Sequence, residues 1–448
     1  MNLSCSAICI PHVAIGHAAA VLYAFVAGGF PSQSDGADML QPGHVVIVVD
    51  SDVQSTSEKR EFRSLIVGGM YVVERCEGER LQLRGFGELI PATSVLPPDE
   101  AIELFTERIK LAPDSTHHFD RSMAWRSLRQ WDKAIADIDE ALRQSPEPIF
   151  HDARGSILND QGDFEAALAC YSEALRLKPQ SPAWLCNRGL ALTNLGRLDE
   201  ALNDFNRAIE LEPTVAISYA NRGIAWHGKG DAVKAINDLN EAIRLEPTYA
   251  NAYTHRGAMW ATQGESKKAL SDFAAAVRLD PENAGAYFNR AALLHEMGDQ
   301  EQALSDVTQA IRNHLPDPSA HLLRGRIWQE RREFAKAAQD FSAALEFNPN
   351  SPDVCNSLAW LLATCPDENF RDGRRAVTFA LNACTLTNWS RPSDLDTLAA
   401  AYAENGDFDL AIKTQQQALS AVPAEQKDDY QSRLDLYESR KKYTSALP

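Results

Sequence analysis

Arginine recurs on a strict beat of 34 residues, at Arg154, Arg188, Arg222, Arg256, Arg290 and Arg324. A row of guanidinium groups at fixed spacing could hold anionic ligands, because each presents planar, paired donors to a carboxylate or phosphate. The same residues have a second use. An aspartate follows sixteen positions later in nearly every case: Arg121 with Asp137, Arg188 with Asp204, Arg222 with Asp238, Arg256 with Asp272, Arg290 with Asp306 and Arg324 with Asp340. Arg154 alone lacks the acid, and Cys170 stands there. Matched spacing of the two signs favours an ion-pair ladder between helices over a ligand row. Exposed, such a pair contributes only ~0–1 kcal/mol; partly buried, it costs more to break.

Other chemistry finds less support. The run HHFD offers His117, His118 and Asp120 as metal ligands, but adjacent residues on a helix point to different sides. The eight cysteines (Cys5, Cys9, Cys76, Cys170, Cys186, Cys355, Cys365 and Cys384) show no CxxC pair and no zinc-type spacing with histidine. Most stand where a helix wants a small apolar residue, so they read as core thiols. There is no P-loop, nucleophile elbow or HExxH, and RGFGEL at 84–89 is not a dinucleotide fingerprint. No cofactor and no metal are expected. The net charge of −18, without a basic stripe, argues against nucleic acid as a partner.

The elements that carry the arginines repeat with them. The residue after each Arg is Gly155, Gly189, Gly223, Gly257, Ala291 or Gly325. Twelve positions on comes alanine, at Ala167, Ala201, Ala235, Ala269, Ala303 and Ala337. Four further is a large apolar residue, Tyr171, Phe205, Leu239, Phe273, Val307 or Phe341, and three further again is Ala174, Ala208, Ala242, Ala276, Ala310 or Ala344. Proline closes the unit at Pro179, Pro213, Pro247, Pro281 and Pro349, with Pro316 one residue late. Each unit thus holds two amphipathic, helix-length segments. Gly162, Gly196, Gly230, Gly264 and Gly298 end the first segment, where a left-handed cap favours glycine. Asp163, Asp231, Glu265 and Asp299 then suit the start of the second. A glycine inside a helix costs about 1 kcal/mol against alanine; small residues at fixed positions on both helices offset that by letting the axes come close.

These positions resemble the tetratricopeptide repeat, whose 34-residue pattern is W-x2-L-G-x2-Y…A-x3-F…P. Tyr219, Tyr253, Tyr287, Trp226, Trp260 and Trp328 fill its aromatic slots. The resemblance covers residues 98–424. It implies a mainly α protein, a right-handed α-solenoid of about nine hairpins, begun by a half-repeat at 100–113 and diverging in its last two units, where CPDENF lengthens a turn. Residues 425–448 read as a capping helix and tail. The family's concave face binds extended or helical peptides, and the register transfers that face to Leu190, Thr193, Ile224, His227, Thr254, Ala258, Phe288, His295, Leu322 and Arg326. The lysines of the carboxylate-clamping subfamily are absent, with Cys186, Ala220, Thr254 and Phe288 in one such slot. An apolar, mildly polar groove for a protein segment fits better.

Residues 43–97 have a different texture. HVVIVV, RSLIV, MYVVERC and ERLQLR are short β-rich runs between charged turns, and they resemble a small SH3-like barrel. Joined to such repeats, this resembles a class of bacterial, planctomycete-like proteins. Residues 1–42 read as an apolar leader and linker. Without Lys or Arg before it, and with His12 and His17 in it, the leader fits a secretion signal or anchor no better than a disordered start. Export or anchoring follows if it is a signal, a cytoplasmic location otherwise. The expected function is a non-enzymatic protein-binding scaffold. Self-assembly through the array's ends, or service as an accessory subunit, is the second reading, and a cryptic hydrolase at the barrel or at His117/His118 the third. If the Arg–Asp beat is structural, Arg222→Ala lowers the thermal midpoint of unfolding; an unchanged midpoint sinks the ladder.

Overall fold

The computed structural model describes residues 45–48, 70–77, 80–83, 89–91, 95–313, 315 and 317–445. The leader with Cys5 and Cys9, the run RSLIV and Pro316 lie outside them. The described residues form two compact units, one ending at Met259 and the other beginning at Trp260.

The first unit opens with strands β1 (Val45–Val48), β2 (Met70–Glu77), β3 (Arg80–Leu83), β4 (Leu89–Pro91) and β5 (Val95–Leu96). They pair antiparallel in the order β4-β3-β2-β1-β5, with Val46 opposite Tyr71 and Ile47 opposite Leu96. Among the described residues β4 and β5 are the free edges, so the ladder is open and the closed SH3-like barrel expected above is not formed by them. A barrel needs its edge strands long enough to meet; these have three and two residues. Ile47 packs with Ala101, Ile102, Phe105 and Ala124, which seats the ladder on helix Pro98–Leu111.

Four helix hairpins follow: Ser115–Ser127 with Trp131–Gln144, Pro148–Gln161 with Phe164–Leu177, Pro182–Asn194 with Leu198–Leu211, and Ala216–Gly228 with Ala232–Leu245. The second unit repeats the plan. Helix Ser266–Leu279 precedes Ala284–Glu296 with Gln300–Arg312, Pro318–Glu330 with Phe334–Phe347, Pro352–Thr364 with Gly373–Leu386, and Pro392–Asn405 with Phe408–Ala421. Lys427–Glu438 follows. Helix Ala250–Thr262 runs across the division. Asp163, Asp231 and Asp299 each accept a backbone N–H three residues on, so they start second helices as their side chains dictate.

Gly162, Gly196, Gly230, Gly264 and Gly298 all have positive φ, from 73° to 91°. The same slot is filled by Arg129 (φ 54°) and Arg332 (φ 64°) in two other hairpins. The turn geometry is therefore imposed by packing of the two helices, and glycine only makes it cheaper.

Alanines at the two conserved small slots, Ala201 and Ala208 for example, are fully buried. Between the helices the interior glycine meets the large residue sixteen positions on. A Cβ placed on Gly155 would lie 2.7 Å from Tyr171, on Gly189 2.6 Å from Phe205, and on Gly325 2.5 Å from Phe341. In the one unit that carries Ala291 in place of glycine, the partner is the smaller Val307, also fully buried. Gly189→Ala should therefore destabilise the protein by about 1–3 kcal/mol despite its better helix propensity. Adding Phe205→Val to it should cost less than the two changes summed, a negative coupling that chemical denaturation of the four proteins would measure. Strict additivity would count against the steric account.

Candidate partner-binding face

The arginines come first, because they fix which side of each hairpin is left over. Arg188 Nε and Nη2 donate to Asp204 at 2.7 Å each. Arg222 does the same to Asp238 at 2.8 and 2.7 Å, Arg290 to Asp306 at 2.6 and 2.8 Å, Arg324 to Asp340 at 2.8 and 2.7 Å, and Arg121 to Asp137 at 2.7 Å twice. These forks join the two helices of one hairpin. A further donor reaches the element before: Arg222 Nη1 to Asn206 at 2.8 Å and Arg256 Nη1 to Asn240 at 2.7 Å in the preceding hairpins, and Arg121 Nη1 to Thr106 at 3.0 Å on helix Pro98–Leu111. The planar face is used too. Arg222, Arg256 and Arg290 lie 5.5–5.6 Å from the ring centres of Tyr219, Tyr253 and Tyr287. Hydrogen bonding to its aspartate holds each of Arg188, Arg222 and Arg290 above its ordinary pKa, against the effect of burial. Where aspartate is missing, Arg154 takes Asp139 at 2.6 Å and points Nη1 at the Cys170 sulfur, 3.3 Å away. Guanidinium groups gripped on edge and face make poor receptors for an anion.

The residues transferred to the groove divide into two sets. Leu190, Thr254, Ala258 and Phe288 are buried among the helices. Thr193, Ile224 and His227 in the first unit, and His295 and Leu322 in the second, are half-buried, and Arg326 is exposed. His295 Nε2 lies 3.0 Å from Glu330, which also accepts from Gln300 at 2.7 Å. Burial pushes His227 below its usual pKa; burial first, and then His227, brings His255 down to about 4. Both rings are therefore neutral near pH 7.

HHFD does not converge. His117 Nδ1 sits 3.1 Å from the Ala112 carbonyl, while His118 turns inward to Asp137 at 3.3 Å. Asp120 is buried, and desolvation raises it to about 7. Among the described residues no group of three His, Cys, Asp or Glu is placed to hold a metal ion, and no helix is long and apolar enough to cross a membrane. Cys170, Cys186, Cys355, Cys365 and Cys384 are free and buried.

Two recurrent contacts escaped the sequence reading. Lys133, Lys234, Lys268 and Lys336 lie 4.1–4.5 Å from the ring centres of Trp125, Trp226, Trp260 and Trp328. The signal was present: where tryptophan gives way to Leu158, Leu192 or Leu294, the lysine slot holds Ala166, Glu200 or Gln302. The second belongs to the row Asn187, Asn221 and Asn289 on the first helices, whose asparagines the sequence shows but whose partner across the junction it does not. Asn187 donates to Asp152 at 2.8 Å in the hairpin before. Asn221, one repeat on, is buried with no hydrogen-bond partner for its amide, because Cys186 stands where Asp152 did and bonds Ser218 instead, at 3.2 Å.

These paired helices, closed by arginine forks and spaced by glycine, define an α-solenoid class of protein. The hairpins are tetratricopeptide repeats. Tetratricopeptide family models match residues 155–222, then 228–284, 261–307 and 288–352, and finally 395–424. Among solved structures, a tetratricopeptide repeat protein from Parabacteroides merdae is 22% identical, with 54% of this chain and 96% of that one covered and a TM-score of 0.44. Yeast Tom70 is 16% identical over 77% of this chain and 92% of its own, with a TM-score of 0.39. MamA from Desulfovibrio magneticus is 20% identical over 38% of this chain and 96% of its own, at 0.34. No curated protein matches the sequence.

The Asn187–Asp152 link carries a pH signature. Burial raises Asp152 to about 6, with the hydrogen bond from Asn187 pulling it back. The folded state thus keeps a proton that the unfolded chain gives up at its ordinary, lower pKa. Stability from this group is full below that ordinary value and declines as pH rises towards 6. Asp152→Asn keeps the acceptor and removes the titration. Thermal midpoints recorded between pH 4 and 7 should lose up to about one proton of slope in the variant; an identical slope would refute the assignment.

Proposed function

We propose that this chain is a non-enzymatic scaffold that holds segments of partner proteins on the first-helix face of its repeats. The support is the division just described. The arginines and buried alanines are consumed inside the hairpins, while Thr193, Ile224 and His227 in one unit and His295, Leu322 and Arg326 in the other stay partly open at three repeat positions of the first helices. Half-buried apolar and neutral polar groups bind an extended segment or an amphipathic helix through apolar anchors with a polar rim. The acidic surface, at −18 overall, works against acidic partners and favours basic or neutral ones. Tetratricopeptide proteins commonly serve as such scaffolds, which agrees with this reading. An SH3-like module ahead of the repeats is part of the proposal, supported by the antiparallel order of β1 to β5.

The test must spare the core, which rules out Leu190 because it is buried. The full chain and an Ile224→Arg/His227→Glu variant with a native circular dichroism spectrum would each be used to capture proteins from a lysate of the source cells. The expected result is one or more proteins held by the parent and reduced at least about tenfold by the variant, equivalent to about 1.4 kcal/mol. The same set held equally by both would move binding off this face.

A further inference from the structure

Chain beyond the last helix lies on this same kind of face in the second unit. Lys427–Glu438 ends at a left-handed residue, Arg440 (φ 52°), whose N–H and that of Lys441 close back on Tyr437 and Leu436. The turn sends residues 442–445 across the first helices of two hairpins, Pro352–Thr364 and Pro392–Asn405, and the loop after the first of these. Lys442 Nζ reaches Glu404 at 3.0 Å. Tyr443 packs on Trp360 with ring centres 5.7 Å apart, and Arg433 lies over both rings, at 5.4 and 5.8 Å. Arg371 Nη2 donates to the Thr444 hydroxyl at 3.2 Å. The Ser445 N–H and hydroxyl both donate to the Thr364 carbonyl at 3.0 Å, satisfying an oxygen left over at the helix end.

We infer that Trp360, Thr364, Arg371 and Glu404 form a binding site for an extended peptide of basic–aromatic–hydroxyl sequence, and that residues 442–445 are its displaceable internal occupant. Two observations separate this from ordinary capping. Trp360 stands at the register of Ile224 and Arg326, positions already read as the partner face, so the inference rests on that reading. The contacts are also shallower than those of the helix before, with Tyr443 packed only against the edge of the same core. Tyr430, Leu434 and Tyr437 of Lys427–Glu438 are buried and belong to the core. Residues 442 and 444 are exposed and 443 and 445 only half-buried. Lys442 is exposed although Glu404 is largely covered, and the segment is held by one ring beneath Arg433 and by a few polar contacts, so it can leave without removing the buried side chains of the cap. While it is seated, its tether gives it a high effective concentration, and a partner of the same chemistry must outcompete it.

The experiment uses a fluorescein-labelled peptide, KKYTSALP, titrated by anisotropy into the full chain and into a Lys442→Glu/Tyr443→Ala variant that releases the segment. Circular dichroism would check both. The variant should bind the peptide at least about tenfold more tightly than the parent, because its site is no longer occupied in cis. Adding Trp360→Ala to the variant should abolish that binding; if this protein does not fold, Glu404→Gln on the rim takes its place and should weaken binding several-fold. Equal affinity for parent and released variant, or binding indifferent to both Trp360→Ala and Glu404→Gln, overturns the inference. The Ile224→Arg/His227→Glu changes, placed in the released variant, should leave the peptide affinity unaltered. Failure here and failure of the first-unit face are thus read separately.

Discussion

The closest approach of the two helices in each hairpin governs the rest. Where Gly189 faces Phe205 there is no room for a methyl group, so the ring sits directly on the backbone of the opposite helix. That contact sets the interhelical distance at the level that close packing demands. It also places Arg188, one residue earlier, within reach of Asp204, one residue before the ring. A wider hairpin would leave the guanidinium short of its carboxylate, and a buried aspartate without its partner is costly. Steric fit and charge pairing are thus one constraint seen at adjacent positions.

From this the accessible face follows by subtraction. Arginine, alanine and the large apolar residue are spent inside, Lys–Trp stacks cover the turn end of several hairpins, and what stays partly open are side chains such as Ile224, His227 and Leu322. In the last two hairpins even this face is partly covered, by Tyr443 on Trp360.

Much of the repeat was legible because its signals are local and periodic. Gly196, Ala201 and Arg222 each recur at a fixed step, and a period is visible without knowing any contact. The close approach of the two helices could be anticipated from small residues on both, such as Gly189 with Ala201 and Ala208; that the Phe205 ring lies over Gly189 could not. The groove was read less well. Leu190, Ala258 and Phe288 share the register of open positions but are buried, because how far neighbouring hairpins overlap depends on side-chain volume across the junction, which no single repeat contains. Three of the β-rich runs carry strands, but the described residues do not close a barrel, since closure depends on strand lengths that alternation does not fix. Residues 442–445 carry no periodicity, so nothing in their sequence announced where they lie.

The matched contacts fall on two sides of a line. Gly189 with Phe205, Arg188 with Asp204 and Trp226 with Lys234 all lie within one stretch that runs from proline to proline. Asn187 with Asp152 spans two such stretches. A segment of coding sequence copied from one proline to the next would inherit the first three contacts whole, whatever its new neighbour. The fourth depends on which unit stands next door, and Asn221 shows the result: its asparagine faces Cys186, which bonds Ser218, and the junction contact is not made.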